Sequence, residues 1–167
     1  MSSTTVPTPT PSVTTETDAQ AFWSVGALMI VKMSGEQTNG EYALVDHTAP
    51  AGWESPYHVH HGEDELFHII SGEIECCYGE DGAERLRAGP NDTVFLPRDV
   101  PHGFRVVSDE PCRMLIHVTP AGFEKFVEEA GRPAPSLTTP PQEEPDVAAL
   151  MEVAAKYDLE ILGPLPE

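Results

Sequence analysis

The chain predicts an all-β fold, an antiparallel sandwich or barrel, and three observations carry that prediction. Between residues 22 and 118, apolar runs rich in β-branched side chains recur about every ten residues. Turn signals separate them, among them Asn39-Gly40, Ser71-Gly72 and Gly79-Glu80-Asp81-Gly82. No helical period interrupts that span, and the first one begins at Gly122. With 167 residues, one core with appendages accounts for the chain. Residues 1–20 form a disordered Ser/Thr/Pro-rich tail, 21–120 the barrel, and 121–167 the helices and Pro-rich extension packed on it.

Each element has its own reason. The tail MSSTTVPTPTPSVTTETDA has almost nothing to bury. Residues 25–33 read as a strand, although Leu28, Met29 and Ile30 alone suit a helix as well; Asn39-Gly40 is a turn and residues 41–48 the next strand. Ala49-Pro50-Ala51-Gly52 leads into a histidine-rich stretch. Residues 66–70 continue as strand after Glu65, with Phe67 and Ile69 facing inward and His68 outward by parity. Strands follow at 74–78, 84–87, 91–97, 102–107 and 111–118. The helix over 122–130 gathers Phe123, Phe126 and Val127 on one face and stops at Gly131. Residues 132–145 are a Pro-rich linker, Asp146 caps a helix in VAALMEVAAKY, and LEILGPLPE lies across the body as an extended strap.

Composition excludes several classes of partner. Nine Lys and Arg stand against 28 Asp and Glu, for a formal net charge of -19. So acidic a surface repels phosphate, so neither nucleic acid nor an anionic membrane is expected as a partner. The only lysines are Lys32, Lys125 and Lys156, a balance compatible with a high-salt cytoplasm where screening weakens self-repulsion. No apolar run approaches the roughly 20 residues that cross a bilayer, and no secretory signal opens the sequence, so a cytoplasmic location is expected. Three cysteines, two of them adjacent, make no disulfide framework.

The stretch GWESPYHVHHGEDELFHIISG, residues 52–72, concentrates the chemistry. On a strand His58 and His60 share a face, while Val59 and His61 point away. His61-Gly62-Glu63-Asp64 suits a tight turn that delivers Glu65 onto an adjacent strand beside them. Glu63 and Asp64 are expected as a solvated turn. Two imidazoles and a carboxylate suit a first-row divalent metal.

The full spacing, Gly52, five residues, His58-Val59-His60, four residues, Glu65, six residues, Gly72, resembles the first motif of the cupin superfamily. Residues 91–106 resemble the second, with Pro97 and His102 at its proline and last histidine. Asn91 and Asp99 stand where glycines are usual, and Val106 where asparagine is usual. The likeness covers residues 42–119. It implies a double-stranded β-helix, or jelly-roll barrel, in which His58, His60, Glu65 and His102 bind one divalent transition metal ion, Fe, Mn, Ni, Co, Cu or Zn. Tyr57, Phe67, Ile69 and Phe104, with Trp53, are expected to line the pocket. His47, His61 and His117 carry no assignment, and a fifth ligand is not expected among them.

The one-domain layout and the run TPAGFEKFVEEAGRPA are similar to small quercetinase-like cupins. That resemblance implies a dioxygenase acting on a flavonol or related enol-type aromatic substrate with O2, Glu65 being both ligand and catalytic proton acceptor. The same four ligands suit a redox-silent cyclase or isomerase, and the fold also serves binding proteins. Outward-facing Leu66, His68 and Ile70 leave an apolar strip, from which a homodimer is expected.

Overall fold

The computed structural model describes residues 8–167. Of the tail expected over residues 1–20, the first seven therefore lie outside the described residues. Residues 8–19 are an exposed segment with a turn at Thr15–Asp18, attached where Gln37 Nε2 donates to Thr14 Oγ1 at 3.1 Å.

Ten strands form the body: β1 (Gln20–Ser24), β2 (Ala27–Met33), β3 (Ala43–Ala49), β4 (Tyr57–His60), β5 (Asp64–Ser71), β6 (Ile74–Tyr78), β7 (Glu84–Ala88), β8 (Thr93–Leu96), β9 (His102–Val106) and β10 (Cys112–Thr119). After them come α1 (Phe123–Ala130), β11 (Arg132–Pro133), α2 (Val147–Ala155) and β12 (Leu159–Gly163). Among the described residues every strand pairing is antiparallel, in a seven-stranded sheet ordered β11-β1-β2-β3-β10-β5-β8 and a five-stranded sheet ordered β12-β4-β9-β6-β7. This is the expected all-β jelly roll with C-terminal helices. Alternate residues of both sheets fill the space between them, with Val45, Phe67, Ile69, Ile74, Met114 and Val118 among the most deeply buried. Among the described residues no helix is long and apolar enough to cross a membrane.

The structure differs from the expected elements at identifiable points. Residues 25–33 are not one strand: Val25 and Gly26 both take positive φ, 51° and 76°, and turn β1 back on β2. A β-branched residue is rare in that conformation, so its sequence does not announce the turn. Gly131 ends α1 with extended backbone, φ -113°, instead of a left-handed cap. It is glycine because a Cβ there would lie 2.6 Å from the Trp23 carbonyl oxygen. Asp146 caps α2 as expected, accepting from the Ala149 N–H at 3.1 Å. The expected strap is a true strand: β12 pairs with β4, Leu159 opposite His60 and Ile161 opposite His58.

Candidate metal centre

His58 and His60 alternate with Tyr57 and Val59 along β4, so period two turns both imidazoles to the inner face. β9 is the neighbour of β4, and His102 pairs directly with His58. Glu65 arrives from the other sheet. The turn after His60 carries the chain across to β5, whose partners are β10 and β8, so Glu65 faces the histidines across the sandwich. The adjacent-strand placement expected from the sequence is thereby corrected. The three residues between His60 and Asp64 span the gap between sheets as readily as they would close a hairpin.

The four side chains converge. One ligand atom from each of His58, His60, Glu65 and His102 lies within 4.8 Å of all the others. Ligands held about 2.1 Å from a central ion are themselves about 3–4 Å apart, so the cluster needs little contraction to hold one. His60, Glu65 and His102 are buried.

Hydrogen bonds at the outer ring nitrogens fix the direction of each imidazole. His58 Nδ1 donates to the Pro56 carbonyl at 2.8 Å and His102 Nδ1 to the Val100 carbonyl at 2.9 Å, because a carbonyl only accepts. His60 Nδ1 donates to Glu63 Oε1 at 2.9 Å. All three Nε2 atoms are left facing inward. His102 Nε2 lies 3.1 Å and His60 Nε2 3.4 Å from Glu65 Oε2, and among the described residues the buried His60 Nε2 has no hydrogen-bond partner. A buried, unpartnered lone pair aimed at a carboxylate and two further imidazoles is what a cation ligand requires, so these residues fit a divalent metal.

The charge states of Glu65 and His58 agree with that fit. Burial alone raises the Glu65 carboxyl, but the imidazoles of His60, His102 and His58 outweigh it and hold it down to about 2, so the carboxylate is ionised. Burial, then the neighbouring His102 and His60, lowers His58 to about 3 and leaves its imidazole neutral. Burial also opposes charge on His60, yet Glu65 and Glu63 together raise it.

Beside the cluster lies a cavity of ≈ 60 Å³. His58 and Glu65 reach it from the metal side; Phe67, Phe104 and Ile116 form its strand walls; Trp53 and Ser55 come from the loop before β4. Phe123 and Phe126 of α1, Leu150 of α2, and Leu159 and Ile161 of β12 complete it. Of the residues expected to line the pocket, Phe67, Phe104 and Trp53 do so, whereas Tyr57 and Ile69 do not. Tyr57 lies on the opposite face of β4, packs with Cys77 and Leu165, and donates to the Gly79 carbonyl. Ile69 faces inward but pairs with Met114 deeper in the core.

Two residues had no expected part in the site. Glu63 is buried and bonded to His60, not solvated as the turn composition suggested. Its spacing of three from His60 was the available signal, since a tight turn folds such a side chain back on the histidine. His47 of β3 lines the cavity. His61 sits outside between Asp99 (2.8 Å) and Glu160 (2.9 Å), and His117 stacks on Tyr42 at 5.2 Å.

Comparison with known proteins points the same way. The family described as "Cupin domain" matches residues 45–118. Dimethylsulfoniopropionate lyase DddQ of Ruegeria pomeroyi is 39% identical over 67 residues, 40% of this chain. The match spans 31% of that lyase, about a third of its length. Among solved structures, KdgF from Halomonas sp. superposes with a TM-score of 0.59 at 16% identity, over 70% of this chain and 99% of that one. The polyketide cyclase RemF from Streptomyces resistomycificus superposes with a TM-score of 0.56 at 18% identity, over 66% of this chain and 80% of that one. At such identities these two likenesses bear on the fold alone.

Proposed function

We propose, from the cupin fold and the Cupin-domain match over residues 45–118, that this chain is a metal-dependent enzyme that activates a small enol-type substrate for reaction with dioxygen. The observation that carries the reading is the convergence of three inward Nε2 atoms and one ionised carboxylate beside an apolar cavity. A divalent transition metal held by His58, His60, Glu65 and His102 would supply a Lewis acid and, where the ion is redox-active, a path for electrons to dioxygen.

The chain's own residues supply the rest. Phe67, Phe104 and Trp53 enclose the organic body of the substrate and exclude water. Glu65 faces the cavity as a carboxylate, and on exchanging its coordination its oxygen would take the hydroxyl proton as the enol becomes an enolate. Glu63 holds His60 in one orientation throughout. The cavity narrows the quercetinase-like reading. Its ≈ 60 Å³ lies far below the roughly 300–1,000 Å³ of pockets that enclose drug-sized ligands, which favours a substrate smaller than a three-ring flavonol. A flavonol requires Phe123, Phe126 and Leu150 to move outward.

A second reading, a redox-silent lyase, isomerase or cyclase, is favoured by the 39% identity to a dimethylsulfoniopropionate lyase over 67 residues. There Glu65 takes a proton from carbon without oxygen, and in a lyase a leaving group departs with its bonding electrons while in an isomerase the proton returns to another carbon. Protein loaded in turn with Fe, Mn, Co, Ni, Cu and Zn, and offered flavonols and single-ring or acyclic enols, separates the readings. Oxygen uptake matching substrate loss, and abolished in Glu65→Ala, is the expected result. Undiminished turnover under anaerobic conditions overturns the dioxygenase in favour of the second reading, and binding without turnover points to a binding protein.

A further inference from the structure

One polar group in the cavity wall has no task in this chemistry. His47 is buried, and among the described residues its Nδ1 has no side-chain hydrogen-bond partner. Its ring meets Trp53 at 5.3 Å and Phe104 at 5.8 Å, both edge-on, and it lines the same cavity as Glu65 and His58.

The register separates the two ends. Val118 of β10 pairs with Glu65 on one side and Ala43 on the other, while His47 pairs with Met114. His47 thus stands four residues further along the inward face than the level of Glu65, about 13 Å of strand. The cavity runs from a cluster of metal-ligand type to a lone imidazole, with Phe67, Ile116 and Phe104 between. Burial lowers His47 to about 4, with Glu65, Asp46 and the residue's own backbone offsetting only part of that, so its ring is neutral near pH 7 and offers one donor and one acceptor. Neither lysine nor arginine lines the cavity, so an anion at the His47 end meets no counter-charge.

A buried imidazole that makes no side-chain hydrogen bond is destabilising, and a ligand group that pairs with either ring nitrogen relieves that cost. We propose that His47 is the second recognition point of the cavity, hydrogen-bonding a neutral hydroxyl or carbonyl at the end of the substrate remote from the metal ligands. The protein then selects small molecules that are polar at both ends and apolar between. This rests on the reading of His58, His60, Glu65 and His102 as a metal centre.

The test uses zinc-loaded protein and two pairs of carboxylates matched in shape, 4-hydroxybutanoate with pentanoate and 4-hydroxybenzoate with 4-methylbenzoate, titrated by calorimetry. In each pair the far end is a hydroxyl or a methyl group. The wild type should bind the hydroxyl member about fivefold tighter or more in at least one pair. His47→Phe should erase that preference while still binding one zinc and melting cooperatively, and His47→Gln, which keeps a donor and an acceptor, should retain most of it. The proposal is overturned by equal binding of both members in the wild type, by no member binding, or by a preference that survives in His47→Phe. Zinc content is measured first: a wild type that holds no zinc defeats the metal-centre reading itself, and the recognition role with it.

Discussion

At the scale of single residues, Glu63 and His47 separate what a side chain touches from what its neighbours in sequence suggest. Glu63 sits in a polar turn yet is buried against His60 Nδ1. Partners of this kind orient a ligand imidazole, and losing one typically weakens metal affinity by about 10–100-fold. Glu63→Ala should show a loss in that range in competition with a chelator; unchanged affinity would remove Glu63 from the site. His47 contributes to the pH dependence alongside His58, which is held lower still. Unfolded, His47 takes up a proton as pH falls through 6.5, whereas buried it stays neutral until about 4. Stability is therefore full above pH 6.5 and lost between 6.5 and 4, by about 3 kcal/mol for this group. Urea titrations at pH 7 and pH 4.5 should show His47→Gln losing less stability than the wild type over that interval, and equal losses would contradict the assignment.

At the scale of elements, the strands that carry the motifs were the most legible, because alternation along 57–60 and 64–71 leaves only one face for His58, His60, Glu65 and Phe67. The same alternation turns Tyr57 away from the cavity, and it is the period of the strand, not aromatic character, that decides its place. Less legible were features set by contacts distant in sequence. The turn at Val25-Gly26 lies where Trp53 Nε1 donates to the Val25 carbonyl at 3.0 Å, and no local signal gives that partner. Which sheet receives β5 depends on its pairing with β10, some fifty residues on. The C-terminal strand is the clearest case, since β12 adds an edge to β4 and brings Leu159 and Ile161 into the cavity wall. Ile161→Ala should cost about 2–4 kcal/mol in denaturant unfolding, and a cost within experimental error would mean that β12 is not part of the cooperative unit.

At the scale of the whole molecule, charge dominates. A formal net charge of -19 on 167 residues opposes compaction, and raising salt from about 0.1 M to 1 M shortens the screening length from about 10 Å to 3 Å. The melting temperature should therefore rise over that range, and unfolding on adding salt would contradict the argument. The dimer expected from the outward strip on β5 is addressed by light scattering: a mass near twice 18.1 kDa supports it, and 18.1 kDa excludes it. The two-sheet body brings together ligand-type side chains from both sheets, and its C-terminal elements close the adjoining cavity, so the whole reading depends on whether an ion is held there. The direct measurement is metal content by mass spectrometry after loading and desalting. One divalent ion per chain in the wild type, falling to a small fraction in His58→Ala, Glu65→Ala and His102→Ala while each variant keeps its far-UV circular dichroism, is the predicted result. A wild type without metal, or variants that hold it as well as the wild type does, would contradict the account.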